Sequence, residues 1–353
     1  MNNLVTKFHD KNFPKVYIII LNYNGWNDTI ECLETVFRND YPNFQVIVVD
    51  NGSEDNSLDY LKLWANGELK SNASSDVYLQ ILSSKPVLKN LSYTLITRQN
   101  KDYRQLNDPN TSTSKISEAN DSESIIFIHS PENLGFSGGN NLGIRYALLR
   151  NDFEFIWLLN NDTVVEKNAL LELVEKSLSD ENIGIVGSKL MLYNDPSRTQ
   201  AFGGSLNRRW GIFRFITSET ELNKLGYIVA ASAIISRKCI ETTGCFDEAY
   251  FLYSEDCDYS LDAINKGFII TVAPNSIVYH KDGKSSVTLY KDYYGIRNNL
   301  YFNYKHLKKN LITANLYVLL RILKRLAKFQ IKSFYITIKA VFDFYQGKMG
   351  RQL

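Results

Sequence analysis

The sequence predicts an α/β protein: a mostly parallel central sheet flanked by helices, with a helical extension at its C-terminal end. Three observations support this. Continuous apolar, often β-branched runs at 16–21, 44–49, 125–128 and 155–159 read as strands buried on both faces. Each run stops in polar residues, and helical patterns alternate with the runs, as in βαβ units. From Tyr293 onward the pattern turns helical and basic.

Taken in order, the first strand ends in Asn22-Tyr23-Asn24-Gly25. Asp28 or Thr29 then opens a helix with Ile30, Leu33, Val36 and Phe37 on one face, stopping before Tyr41-Pro42. The second strand runs into Asp50-Asn51-Gly52-Ser53, and Leu58, Leu61 and Leu63 suggest another helix. Residues 66–124 are rich in Ser, Asn, Asp and Lys, with one ordered-looking piece at 87–97. A polar excursion of that length is an inserted surface loop or a functional lid. The strand at 125–128 leads to Asn133-Leu134-Gly135 and a glycine- and asparagine-rich stretch through Asn140, Asn141 and Gly143. This stretch opens a helix with Leu142, Tyr146 and Leu149 on its apolar face. Its backbone N–H groups are placed to meet phosphate, or the glycines simply start a helix. The spacing is not the dinucleotide-binding GxGxxG pattern.

The strand at 155–159 ends in Asn160-Asn161-Asp162. Ligands of open α/β sheets bind outside the carboxyl ends of strands. Asp162 is the one full charge there, an oxygen ligand for Mg²⁺ or Mn²⁺, unless Asp162 or Thr163 merely caps a helix. A helix (Ala169, Leu170, Leu173, Val174, Leu178) and a short strand at 183–187 follow. Then come a polar region at 194–224 with the basic-aromatic patch Arg208-Arg209-Trp210, and a small-residue strand at 227–236. Between 247 and 258, Asp247, Glu248, Glu255, Asp256 and Asp258 interleave with aromatic residues. Carboxylates among apolar neighbours have raised acid constants and suit general-base work; the alternative is an acidic helix start favoured by the macrodipole. A last strand spans 267–273, and Tyr279-His280 is expected in a polar loop beyond it.

Net charge is +2 over 353 residues, which argues against a nucleic-acid partner. Cys32, Cys239, Cys245 and Cys257 lack metal-site spacing and read as reduced core thiols of a cytoplasmic protein. Neither a secretory signal nor a membrane-spanning run is expected. The tail interleaves Lys324, Lys328, Lys332 and other cations with apolar residues. It suits peripheral contact with an anionic membrane, at its cytoplasmic face, or packing on the domain or in a homo-oligomer.

In blocks and order the chain resembles the family 2 glycosyltransferases of GT-A fold, in the bacterial rhamnosyltransferase-like branch. The blocks are Ile19-Ile-Leu-Asn-Tyr-Asn24, Val49-Asp-Asn-Gly-Ser-Glu-Asp-Asn-Ser57, Asn133-Leu-Gly-Phe-Ser-Gly-Gly-Asn-Asn141, Leu158-Leu-Asn-Asn-Asp-Thr163, and Gly244-Cys-Phe-Asp-Glu248 with Tyr253-Ser-Glu-Asp-Cys-Asp258, closed by His280. The resemblance implies a GT-A domain at 13–290, carrying the 66–124 insertion, and a helical region at 291–353. It implies inverting transfer from a dTDP or UDP sugar, rhamnose first, to a growing cell-surface glycan, free or lipid-linked. Asn22, Asp50, Asn51, Ser53, Asn133, Gly135, Asn140, Asn160 and Asn161 would bind nucleotide, with Asp50 accepting from the base. Asp162 and His280 would hold Mg²⁺ or Mn²⁺. Asp256 would be the base beside Glu255, and Asp247, Trp210 and Arg297 would face the acceptor. Two departures stand out: Asn160 replaces the first Asp of the family's DxD, and Leu261-Asp262 stands where Leu-Arg is frequent, so that basic contact is either missing or replaced by Arg145 or Lys281. The alternatives are a catalytically weakened nucleotide- or membrane-binding scaffold of a glycan-assembly complex, and a nucleotidyltransferase; the latter would want basic residues near 22–28, where none occur.

Overall fold

The computed structural model describes residues 13–70, 76–83, 87, 91–97, 124–281 and 288–353. The elements in order are β1 (Val16–Asn22), α1 (Trp26–Val36), β2 (Phe44–Asn51), α2 (Ser57–Ala65), α3 (Val77–Ser83), β3 (Tyr93–Thr97), β4 (Ile125–Ser130), α4 (Gly135–Arg150), β5 (Phe155–Asn160) and β6 (Thr163–Val165). They continue with α5 (Ala169–Ser177), β7 (Ile183–Leu192), β8 (Asp195–Ala201), β9 (Gly203–Asn207), β10 (Ile212–Ile216), β11 (Ser232–Ser236), α6 (Arg237–Thr243), α7 (Glu255–Asn265) and β12 (Ile269–His280). Three helices close the chain: α8 (Thr288–His306), α9 (Leu311–Ala327) and α10 (Ile331–Tyr345).

The main sheet runs β3-β4-β2-β1-β5-β11-β7-β12-β6, with β8 on β7; β9 and β10 form a separate hairpin. From β3 to β5 every pairing is parallel. β11 lies antiparallel between β5 and β7, and β7 pairs with β12 in parallel. Alternate residues of the same strand serve two cores. Ile18, Ile20, Val46, Val48, Trp157 and Leu159 pack with α1, α2 and α5 on one face. Tyr17, Ile19, Ile47, Val49, Ile156 and Leu158 pack with α4, α6 and α7 on the other. Because both faces are covered, the strands read as unbroken apolar runs rather than alternating ones.

Four sequence expectations change. The 66–124 stretch is not purely a surface excursion: α3 lies in it, and β3 extends the sheet edge beside β4. No helix follows Asp162; β6 does, so neither Asp162 nor Thr163 caps one. β12 passes through a register irregularity between Ala273 and Ile277 and continues to His280, so Tyr279 and His280 end a strand instead of sitting in a loop. The glycine-rich stretch lies inside α4. A Cβ at Gly139 would fall 2.3 Å from Leu21 Cδ1, and one at Gly143 2.8 Å from Ile19 Cγ2. These two glycines let the helix press onto β1, a packing role and not a phosphate role.

Candidate active site

Parallel register brings the ends of the strands together. Asn22 pairs with Asp50, Asp50 with His129, and Leu21 with Asn160. Buried Asn22 donates to Asp50 Oδ1 at 3.1 Å and to Ser53 Oγ at 3.1 Å, and accepts from Thr29 Oγ1 at 2.8 Å. Asp50 Oδ2 lies 2.8 Å from His129 Nδ1. Asp50 is therefore fixed through both oxygens, and a carboxylate's spare lone pairs can still accept from a ligand N–H. His129 escaped the sequence reading. Its signal was present, since it is the first polar residue after an apolar run, as Asn22, Asp50 and Asn160 are.

At the ends of β5 and β12 a second group converges. His280 Nε2 lies 3.3 Å from Asp162 Oδ1 and 3.3 Å from Asn160 Nδ2. His280 Nδ1 lies 2.9 Å from Gln200 Oε1. An N–H given to the Gln200 carbonyl leaves the Nε2 lone pair facing Asp162, the tautomer a metal ligand needs. One carboxylate oxygen and one imidazole nitrogen, both part-exposed, fit a divalent cation whose remaining ligands come from diphosphate or water. Asn161 does not join them. Its amide donates to Thr29 Oγ1 at 3.0 Å and to Gly25 O at 3.4 Å, so it ties β5 to the start of α1.

Three N–H groups at the N-terminus of α4 are taken by neighbours. Leu134 N–H donates to Asn51 Oδ1, Gly135 N–H to Asn133 Oδ1 and Phe136 N–H to Phe251 O. Asn51 also donates to Asn133 Oδ1 at 3.0 Å and to Gly135 O at 3.1 Å. Asn140 is buried and donates to Phe136 O. Three of the N–H groups a phosphate would use are thus taken, and through these bonds Asn51, Asn133, Gly135 and Asn140 shape the loop. Nor is either substitute cation free. Arg145 pairs with Glu248 at 2.7 Å, and Lys281 is held at 2.6 Å by Asp28 and at 2.5 Å by Glu31.

The carboxylate pair sits at the start of α7, after a loop under backbone strain. Phe251, Tyr253 and Ser254 have φ of 62°, 72° and 72°, the left-handed region that non-glycine residues rarely occupy. Neighbours over-determine this shape. Asn298 Nδ2 lies 2.9, 2.7 and 2.8 Å from the carbonyls of Tyr250, Leu252 and Tyr253. Arg297 Nη2 donates to the carbonyls of Ala249 and Tyr250, and its Nη1 to Gly350 O. Arg297 is wholly buried, so the expectation that it meets an acceptor is corrected: its donors are committed to backbone carbonyls, and it braces the loop.

Glu255 is buried, and its Oε2 has no hydrogen-bond partner. Burial, with the Asp256 charge beside it, pushes its acid constant well above the ordinary glutamate range. Asp256 is the more open of the two. Burial raises its acid constant as well, while the N–H of Cys257, donated to Oδ1 at 2.8 Å, pulls the other way. Asp247 is half-buried and accepts from Tyr301 OH at 3.0 Å and Ala249 N at 3.0 Å. Half-buried Trp210 lies between β9 and β10. That turn is anchored to the C-terminal helices by Asn299 donating to Gly211 O and Thr313 to Arg209 O. Beyond the pair, Asp258, Asp262 and His306 are close enough to share a cation. The Lys305 ammonium already lies 2.8 Å from Asp258 and 3.2 Å from Asp262, so this cluster is charge-compensated.

Residues 17–74 match the family described as Glycosyl transferase family 2. Residues 155–342, more than half of the chain, match Glycosyl transferase family group 2. A dTDP-rhamnosyl transferase, RfbF, of Shigella flexneri is 23% identical over 64% of this chain and 79% of the relative. The low-salt glycan biosynthesis hexosyltransferase Agl10 of Haloferax volcanii is 27% identical over 52% and 62%. Among solved structures, a Pyrobaculum calidifontis mannosyltransferase in complex with GDP-Man and Mn²⁺ superposes with TM-score 0.53 at 14% identity, covering 95% of this chain and 79% of its own. GalNAc-T7 with UDP, GalNAc and Mn²⁺ gives TM-score 0.51 at 12% identity, covering 78% and 44%. At these identities the superpositions establish the GT-A fold.

Proposed function

The chain belongs to glycosyltransferase family 2, and from that membership we propose that it transfers a sugar, with inversion, from a pyrimidine nucleoside diphosphate to a growing cell-surface glycan. The observation that supports this most is the convergence of Asp162 Oδ1 and His280 Nε2 at the strand ends, with Gln200 holding the far side of the imidazole. Asp50, anchored by Asn22 and His129, is the acceptor for a base N–H. Asp162 and His280 are the residues to hold Mg²⁺ or Mn²⁺. When bound, such an ion supplies Lewis-acid stabilisation to a departing diphosphate.

Asp256 in its ionised form takes the proton of the acceptor hydroxyl as the oxygen bonds to the anomeric carbon and the bond to phosphate breaks. Glu255, buried and inclined to stay protonated, positions the start of α7 and does not attack. One base without a nucleophilic carboxylate corresponds to single displacement and inversion. Asp247 and Trp210 flank the acceptor side. dTDP-rhamnose is the first donor to test, in line with the name of the Shigella relative; UDP-hexoses come next.

Thermal-shift titration with dTDP, UDP, GDP and CDP sugars, with and without Mn²⁺, tests the donor site. A shift for dTDP or UDP sugars that grows with the metal is expected; a shift restricted to GDP sugars would overturn the pyrimidine assignment. Asp256→Asn should lower transfer by about 100-fold or more while donor binding persists. Near-normal turnover of that variant would remove Asp256 from its role.

A further inference from the structure

The C-terminal helix pair is apolar on both sides. Its inner face, including Ala314 and Val318 of α9 and Ala340 of α10, is buried against Tyr293, Ile296 and Leu300 of α8. The outer faces repeat one spacing. Ile312, Leu316, Leu319, Leu323 and Leu326 are exposed on α9, and the same offsets, from Ile331 to Tyr345, are exposed on α10. At 100° per residue each set falls within an arc of about 80°, opposite the packed side. Ile312 is 82% exposed, and Phe329, between the helices, 85%. Helices apolar all round are ordinarily covered all round, and exposed apolar surface on this scale marks a contact site.

The charges identify what covers it. Lys308, Lys309, Lys324, Lys328 and Lys332 are exposed around the stripes. From 305 to 353 the one acid is Asp343, which is buried and tied to Tyr293 and Lys339. A second copy laid face to face would set lysine against lysine. A surface of anionic lipid meets the same face with opposite charge. Among the described residues no helix is long and apolar enough to cross a membrane. We propose that the outer face of α9 and α10 lies in the plane of an anionic bilayer, with its apolar stripes at the headgroup–acyl boundary and its lysines among the phosphates. The proposal is independent of the donor and of the base. Because α8 grips the loop before Glu255, docking through this unit fixes that loop relative to the surface.

Co-sedimentation of the full chain with vesicles tests it. Vesicles of phosphatidylglycerol and phosphatidylcholine in equal parts should bind the protein, less so as salt is raised, and phosphatidylcholine alone should bind it weakly. The exposed-site variant Leu316→Ser/Leu323→Ser/Phe342→Ser should bind about 100-fold more weakly. Lys324→Glu/Lys328→Glu/Lys332→Glu should lose a similar factor toward the anionic vesicles alone. Unchanged circular dichroism melts keep either loss from being read as unfolding. A wild-type protein that stays in the supernatant with both vesicles would overturn the proposal. So would salt-insensitive binding to phosphatidylcholine, or a dimer without vesicle affinity that the serine variant converts to monomer.

Discussion

Glu255 and Asp256 are adjacent carboxyls in unequal surroundings, and the proposed roles follow that difference. The buried Glu255, with an unpartnered oxygen, binds its proton more tightly in the folded state than in the unfolded chain. A raised acid constant contributes stability that is complete below the unfolded glutamate value, about pH 4.3. That contribution is lost as pH rises through the folded value. Glu255→Gln keeps a neutral group at every pH. Its Tm should match the wild type near pH 4 and exceed it increasingly toward pH 8; a difference that does not change with pH would mean Glu255 is not held protonated. As the proposed base, Asp256 acts when ionised, so transfer should rise with pH through a value above the ordinary aspartate range, as its burial implies. His129 and Gln200 belong to this scale too. Each touches a residue that the sequence did single out, and only the folded structure reveals the contact.

The loop from Ala249 to Ser254 acts as an element although it has no regular secondary structure. Its left-handed residues cost about 1–3 kcal/mol each, and α8 offsets that cost through Arg297 and Asn298. Asn298→Ala removes the amide shared by three carbonyls, leaving buried acceptors without a donor. Stability should fall by about 2–4 kcal/mol in urea unfolding. The turnover of the residual folded enzyme should fall while its affinity for donor holds, because the proposed donor-site residues Asp50 and Asp162 lie outside this loop. A variant with wild-type turnover would show that the loop keeps its shape unaided. The sequence indicated an acidic, aromatic segment here. It did not indicate that residues more than forty positions later hold it, because the tie runs through backbone carbonyls, which leave no mark in residue type.

At the scale of the molecule the C-terminal helices are continuous with the catalytic unit. α8 begins before the boundary expected at 290, and Gly350 N–H donates to Ala249 O. Unfolding should therefore be one transition. Tryptophan fluorescence, whose four reporters all precede residue 211, should coincide with far-UV circular dichroism; an earlier loss of ellipticity would mean that the tail melts separately. By itself the sequence determined the α/β class, the ends of β1, β2 and β5 where Asn22, Asp50 and Asp162 stand, and the carboxylate pair at 255–256. Burial on both faces writes continuous apolar runs, and a chemical task at a strand end interrupts them with polar residues. The tertiary structure alone decided which of those polar residues meet one another. Asn51, Asn140, Asn161 and Arg297 read as binding residues in the sequence, and the fold gives their donors protein partners. A hydrogen-bonding side chain looks the same in sequence whether its partner is substrate or backbone, and only the packing of distant elements selects between them.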